Sequence, residues 1–142
     1  MSGYQSLADF VGIEANRQFA TWRHLINQCD DAKHKLVQLR QYADRYRRQL
    51  QSDLHGGMPA NSTMAFLRFI GQIERVIQKQ EREVARLEQA CRSQWQLLVE
   101  ARREKRMYEI LRDRAAAEKL AAALRQSQRE IDDLLGKVVK LL

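Results

Sequence analysis

The sequence has few of the residues that let a chain turn. It contains one proline, Pro59, and six glycines, of which only Gly56 and Gly57 stand side by side. A compact fold of this length would need several loops, each with its own turn residues. Helix-forming residues dominate instead, a composition typical of long helices or a coiled coil. The sequence therefore predicts an all-α fold with a single interruption.

Signals for metal binding, secretion and membrane insertion are also missing. The two cysteines, Cys29 and Cys91, have neither CxxC spacing nor a histidine pair nearby, so they indicate no zinc or redox site. No apolar run is long enough to span a membrane. The first residues lack the basic and apolar segments of a secretion signal. We expect a cytoplasmic protein without a transmembrane segment.

Residue groups that carry catalysis are absent as well. The three histidines, His24, His34 and His55, are scattered along the chain. No glycine-rich phosphate loop, nucleophile elbow or pair of carboxylates in a pocket can be assembled. The sequence predicts no enzyme activity and no catalytic, cofactor-binding or metal-binding residues.

The charge balance is basic, with 25 Lys and Arg against 18 Asp and Glu and a net charge of +7. Such a surplus favours acidic partners, although interleaved charges are typical of solvated helix faces. Two basic clusters make nucleic-acid binding the rival class, and they consist of Arg45, Arg47, Arg48, Arg102, Arg103, Lys105 and Arg106. No base-reading module accompanies them, so we expect no nucleic-acid partner.

The one break lies at residues 55–62, where the glycine pair precedes Pro59. Glycine ends helices in a left-handed conformation, and proline prevents a helix from continuing. We predict one coiled-coil domain over residues 1–142. Its first helix spans about 5–53, its loop about 54–61 and its second helix about 62–138.

Apolar residues follow a heptad pattern in both predicted helices, which indicates a coiled coil. The first helix has a positions at Ala8, Ala15, Trp22, Cys29, Leu36, Ala43 and Leu50, and d positions at Val11, Gln18, Leu25, Ala32, Leu39 and Tyr46. The second has a positions at Ile70, Ile77, Val84, Cys91 and Leu98, and d positions at Phe66, Ile73, Gln80, Leu87, Gln94, Ala101 and Tyr108. Facing residues in an antiparallel pair have numbers that add up to about 116, which leaves a loop of about eight residues.

The two flanks of this seam differ. On the e flank, Lys33 and Arg40 should face Glu81 and Glu74, the usual charge pairing. The g flank is apolar, with Tyr42 facing Val76 and Phe69 nearby, edged by Leu39, Tyr46 and Ile73. An exposed apolar strip of this kind is typical of a partner site. The alternative is a widened core that covers the same side chains.

The second helix is longer than the first, so residues 113–142 should overhang the pair. An apolar stripe continues there through Leu120, Leu124, Ile131, Leu134, Val138 and Leu141. Since it has no partner within the hairpin, it should bind another protein, self-associate or fray.

Two segments resemble the FliJ family of flagellar export proteins. The first is residues 36–47, Leu-Val-Gln-Leu-Arg-Gln-Tyr-Ala-Asp-Arg-Tyr-Arg, with two tyrosines four residues apart. The second is residues 69–80, Phe-Ile-Gly-Gln-Ile-Glu-Arg-Val-Ile-Gln-Lys-Gln. The likeness extends over roughly residues 5–105, with a glycine-containing loop between the two segments.

The resemblance implies an antiparallel coiled coil similar to the stalk (gamma) subunit of rotary ATPases. It implies the export ATPase FliI, its regulator FliH, the cytoplasmic linker of the export gate protein FlhA, and export chaperones as partners. It also implies a gate-binding strip on Lys35, Leu39, Tyr42, Tyr46, Phe69, Ile73, Val76 and Gln80. The protein itself would associate peripherally with the cytoplasmic face of the membrane. The alternatives are the stalk protein of a virulence-type injection apparatus and a generic scaffold.

Overall fold

The computed structural model describes residues 3–142, which form two long helices. Helix α1 spans Gly3–His55 and helix α2 spans Ala60–Leu141. The described residues contain no strand, and the two helices pack against each other in antiparallel directions, which confirms the predicted all-α hairpin. Both helices extend two or three residues beyond the expected bounds, because helix ends carry weak sequence signals.

The turn between the helices is shorter than expected and occupies residues 56–59. Gly57 has φ +84°, a left-handed conformation that ends α1. The amide of Gly56 donates to the carbonyl of Ser52 at 3.2 Å. Helix α2 starts directly after Pro59, whose carbonyl accepts from the Thr63 amide at 3.0 Å. Proline fits this position because it has no amide hydrogen and so cannot continue α1.

Contacts divide the chain into two compact units. One unit is Gln18–Leu97, and the other combines residues 1–17 with residues 98–142. Each unit contains a stretch of both helices.

The core of the Gln18–Leu97 unit follows the predicted heptads. Its buried members are Cys29, Ala32, Leu36, Ala43, Ile73, Ile77, Val84, Leu87 and Cys91. All of them stand at predicted a or d positions. Ala43 is completely buried, so small side chains let the two helices approach closely.

Glutamines inside this seam are hydrogen-bonded across it. The side-chain amide of Gln80 donates to the carbonyl of Ala32 at 3.0 Å, and that of Gln94 donates to the carbonyl of Gln18 at 3.2 Å. Across residues 3–142, every buried side-chain nitrogen or oxygen has a hydrogen-bond partner. Such contacts favour one register, because a slipped seam would bury the amides without partners.

In the other unit, the start of α1 lies beside α2. Ala8, Val11, Ala15 and Leu98 are buried there. Lys105 crosses Gly12, with its Cε 3.8 Å from the position of a β-carbon on that glycine. From residue 122 to residue 142, every residue of the chain is exposed. No helix within residues 3–142 combines the length and the apolar character needed to cross a membrane.

Candidate partner-binding site

The e flank of the Gln18–Leu97 unit carries a row of ion pairs between the helices. Lys33 pairs with Glu88 at 3.6 Å. Arg40 pairs with Glu81 at 3.3 Å. The row ends with Arg47 and Glu74, which lie 2.7 Å apart. These side chains are about half exposed, so the ion pairs mark a solvated flank and contribute little to stability.

The predicted partners on this flank were wrong by one heptad. Lys33 was expected opposite Glu81, and Arg40 opposite Glu74, whereas each reaches the glutamate seven residues further along α2. Helical side chains lean toward the N-terminus of their own helix. In an antiparallel pair this lean brings together residues with the larger sum of numbers, which explains the shift.

The opposite, g flank carries a cluster of aromatic rings centred on Tyr46. Its ring centroid lies 4.7 Å from that of Tyr42 and 4.8 Å from that of Phe69. The ring of Phe66 lies 5.7 Å away. All three contacts are tilted, an arrangement that aromatic pairs prefer. The cluster joins α1 to α2 next to the turn.

The aromatic cluster is partly open to solvent. Tyr42 is 37% exposed, Phe69 38% and Val76 51%. Tyr46 is half-buried, and Ile73, at 7%, is buried in the core. The expected exposed edge of Ile73 is therefore not available, because this side chain points between the helices. The accessible surface consists of Tyr42, Phe69 and Val76, which we call the aromatic strip.

A hydrogen bond orders the two tyrosines of this surface. The hydroxyl of Tyr42 donates to that of Tyr46 at 3.2 Å. This hydrogen bond is the main reason that the pKa of Tyr42 is raised, since ionisation would remove the donated proton. The guanidinium of Arg45 lies 5.9 Å from the centre of the Tyr42 ring. The exposed ring of Tyr42 is thus contacted on two sides, by Tyr46 and by Arg45.

The polar members of the predicted site have different environments. Lys35 is exposed and, with Leu39 and Tyr42, lines a surface groove of about 390 Å³. Gln80 is half-buried, and its amide is bound to the carbonyl of Ala32. Gln80 therefore contributes to the hairpin itself, whereas Lys35 is free to reach outward.

A second aromatic cluster lies elsewhere in the same unit and was missed in the sequence. The ring of Trp22 lies 5.1 Å from Trp95 and 6.1 Å from Phe19. Trp95 is 45% exposed and Phe19 is 39% exposed. The missed signal is that Phe19, Ile26 and Trp95 all occupy e positions, where charged residues are usual.

The two cysteines are buried free thiols in the core of the unit. Burial, followed by the neighbouring Cys29 thiol, raises the pKa of Cys91. This agrees with the predicted register, which places them in adjacent layers. A raised pKa keeps the thiol protonated and unreactive, so both behave as small core residues.

Other candidate sites are weaker. Within residues 3–142, no three His, Cys, Asp or Glu side chains form a group that could hold a metal ion. The basic clusters are partly neutralised, because Arg47 pairs with both Asp44 and Glu74. Lys105 and Arg106 likewise share Glu109. The two aromatic clusters remain as candidates, and only the aromatic strip lies on the surface predicted from the sequence.

Comparison with known proteins gives the family. The profile of the family described as "Flagellar FliJ protein" matches residues 14–139, which is most of the chain. The chain belongs to the FliJ family. It is also 25% identical over 133 residues to the flagellar FliJ protein of Salmonella typhi, with 91% of this chain and 88% of that protein covered. No solved structure matches.

Membership of the FliJ family makes the chain a component of flagellar protein export. Proteins of this family are non-catalytic components of the export apparatus. The matched region covers most of both helices, the turn and the aromatic strip.

Proposed function

We propose that this FliJ family protein is a stalk-like, non-enzymatic coiled coil that links the export ATPase FliI to the export gate. The gate contact is the cytoplasmic linker of FlhA. It binds the surface predicted from the sequence, with the aromatic strip at its centre and Lys35, Leu39 and Tyr46 around it. The protein acts in the cytoplasm, at the inner face of the membrane.

The observation that carries this proposal is the difference between the two flanks near the turn. One flank holds three ion pairs between the helices, whereas the other exposes Tyr42, Phe69 and Val76. Large aromatic side chains at a rigid surface are common anchors of protein interfaces. The Tyr42–Tyr46 hydrogen bond and the ring contacts fix the anchors in advance, which lowers the entropic cost of binding.

The other predicted partners would bind through charge or through a second apolar surface. The net charge of +7 favours an acidic surface on FliI or its regulator FliH. Export chaperones form the last predicted class of partner, and the cluster of Phe19, Trp22 and Trp95 offers a second apolar surface for one of them. Any nucleotide hydrolysis belongs to FliI.

The test is binding of the purified FlhA linker to the double variant Tyr42→Ala/Phe69→Ala, measured by calorimetry. We expect the dissociation constant to rise by about thirtyfold, in line with the loss of two interface anchors. Phe10→Ala is the matched control, because Phe10 is 69% exposed in the other unit. It should leave gate binding unchanged.

Circular dichroism and binding to FliI keep the result interpretable. The double variant should keep its helical content and its affinity for FliI, since Tyr42 and Phe69 lie beside the seam. Wild-type affinity in a folded double variant would reject the aromatic strip as the gate site. If the variant loses its helical structure, the single variant Val76→Ser tests the same surface from an exposed position.

A further inference from the structure

The overhanging end of α2 exposes a continuous set of large apolar side chains. Those with at least half of their surface open to solvent are Leu120, Leu124, Ile131, Leu134, Leu135, Val138, Val139 and Leu141. They recur with helical spacing in a segment where every residue from 122 onward is exposed. An apolar stripe of this length usually marks an interface.

This stripe is not a continuation of the hairpin seam. Continued past Ala115, the seam register would place polar or small residues at a and d, namely Lys119, Ala122, Gln126, Arg129, Asp133 and Gly136. The apolar residues follow a second register, with a positions at Ala117, Leu124, Ile131 and Val138 and d positions at Leu120, Ser127, Leu134 and Leu141. Ala117 lies twelve residues after the seam position Lys105. At about 100° per residue this is three full turns and about 120° more, so the stripe lies about 120° around the helix from the seam.

Because the stripe faces away from the seam, α1 would not cover it even if α1 were longer. A separate partner helix is required, and the register indicates which one. We propose that a second copy of this chain covers the stripe, so that residues 124–141 of two copies form an antiparallel coiled coil. Its layers pair Leu124 with Leu141 of the second copy, Ser127 with Val138, and Ile131 with Leu134, and each layer occurs twice.

The flanking charges select this arrangement. In the g positions, Glu130 faces Lys137 of the second copy, and by symmetry Lys137 faces Glu130, which gives two opposite-charge contacts. Both residues are exposed, and within residues 3–142 the side chain of Glu130 is held only by Gln126, four residues before it. The charges are therefore available to a second copy.

Alternative arrangements are disfavoured by the same two residues. A slip of one heptad in one direction places Glu130 against Glu130 of the second copy. A slip in the other direction places Lys137 against Lys137. A parallel dimer would put Glu130 next to Leu135 and Lys137 next to Leu142, without any charge pairing. Only the proposed register combines apolar layers with opposite charges on the flank.

The length of the stripe suits a reversible dimer. The overlap of residues 124–141 spans about two and a half heptads and about 27 Å of helix. An isolated helix this short is marginal in water, so pairing would stabilise the helical form as well as bury the stripe. We therefore expect a dimer whose population rises with protein concentration.

The experiment uses the full chain in sedimentation equilibrium over two decades of concentration. Wild type should convert from monomer to dimer. Glu130→Lys and Lys137→Glu each create like-charge contacts and should raise the dimer dissociation constant by about tenfold. An equimolar mixture of these two variants regains both opposite-charge contacts, so it should dimerise about as well as wild type.

Two further variants serve as controls. Lys140→Glu makes the same charge change at an outward position and should leave dimerisation unchanged. Ile131→Asp places a charge in the central layer and should abolish it, while circular dichroism shows that the hairpin is retained. The proposal is overturned if wild type stays monomeric throughout, if Ile131→Asp still dimerises, or if the mixture associates no better than either variant alone. Gate binding through the aromatic strip is measured separately, so either proposal can fail without the other.

Discussion

The side-chain amide of Gln94 donates a hydrogen bond to the backbone carbonyl of Gln18 across the seam, at 3.2 Å. It also reaches the side-chain oxygen of Gln18. Gln94 is only 9% exposed, so its amide has exchanged water for these two acceptors. A buried polar group stabilises the one register in which its partner is present and penalises all others. This contact therefore helps to align α1 with α2.

Replacing Gln94 by alanine should destabilise the hairpin. The change removes two side-chain hydrogen bonds across the seam, which lowers the unfolding free energy by about 2 kcal/mol. Urea unfolding followed by circular dichroism measures it. Gln96→Ala is the matched control, because Gln96 is exposed two residues away. If both variants unfold at the same urea concentration, the buried amide does not set the register.

Leu97 and Leu98 make a matched pair of neighbours with opposite environments. Leu98 is completely buried, whereas Leu97 is 49% exposed. Leu98→Ala should lower the unfolding free energy by about 3 kcal/mol, through lost burial and the cavity left behind. Leu97→Ala should change it by no more than about 0.5 kcal/mol. Equal losses in the two variants would show that the heptad phase changes near this point of α2.

The buried thiols should make the protein sensitive to alkaline pH. The pKa of Cys91 is raised in the folded state, so folding favours the protonated thiol. This contribution is fully present below the unfolded thiol pKa of about 8.5 and is lost as the pH rises above it. Urea unfolding at increasing pH should show this fall in stability for wild type and a weaker one for Cys91→Ala.

Alkylation gives an independent measure of the same environment. In the folded protein, iodoacetamide should label Cys91 far more slowly than it labels the urea-unfolded chain, because the thiolate is both rare and covered. Exposed Ser93→Cys provides a reactive reference on the same helix. Rapid labelling of Cys91 at neutral pH would contradict its place in the core.

The sequence predicted which residues flank the seam but not which of them pair. Heptad positions identify which residues flank the seam, and the salt-bridging residues Lys33, Arg40, Glu81 and Glu74 were found this way. Their partners were wrong because a heptad diagram ignores the lean of each side chain along its helix. Ile73 was correctly placed at a d position of the seam, but its expected exposed edge is absent because the side chain is buried.

The sequence by itself determined the two helices, the turn at Gly57 and the composition of the seam. These features depend on local propensity and on a spacing that repeats along one chain, so they can be read without coordinates. The tertiary structure alone decided which side chains in the seam and on its flanks remain accessible, as it did for Ile73, Tyr42 and Trp95. Accessibility depends on how neighbouring side chains from both helices fill the same space, and that is a property of the packed pair.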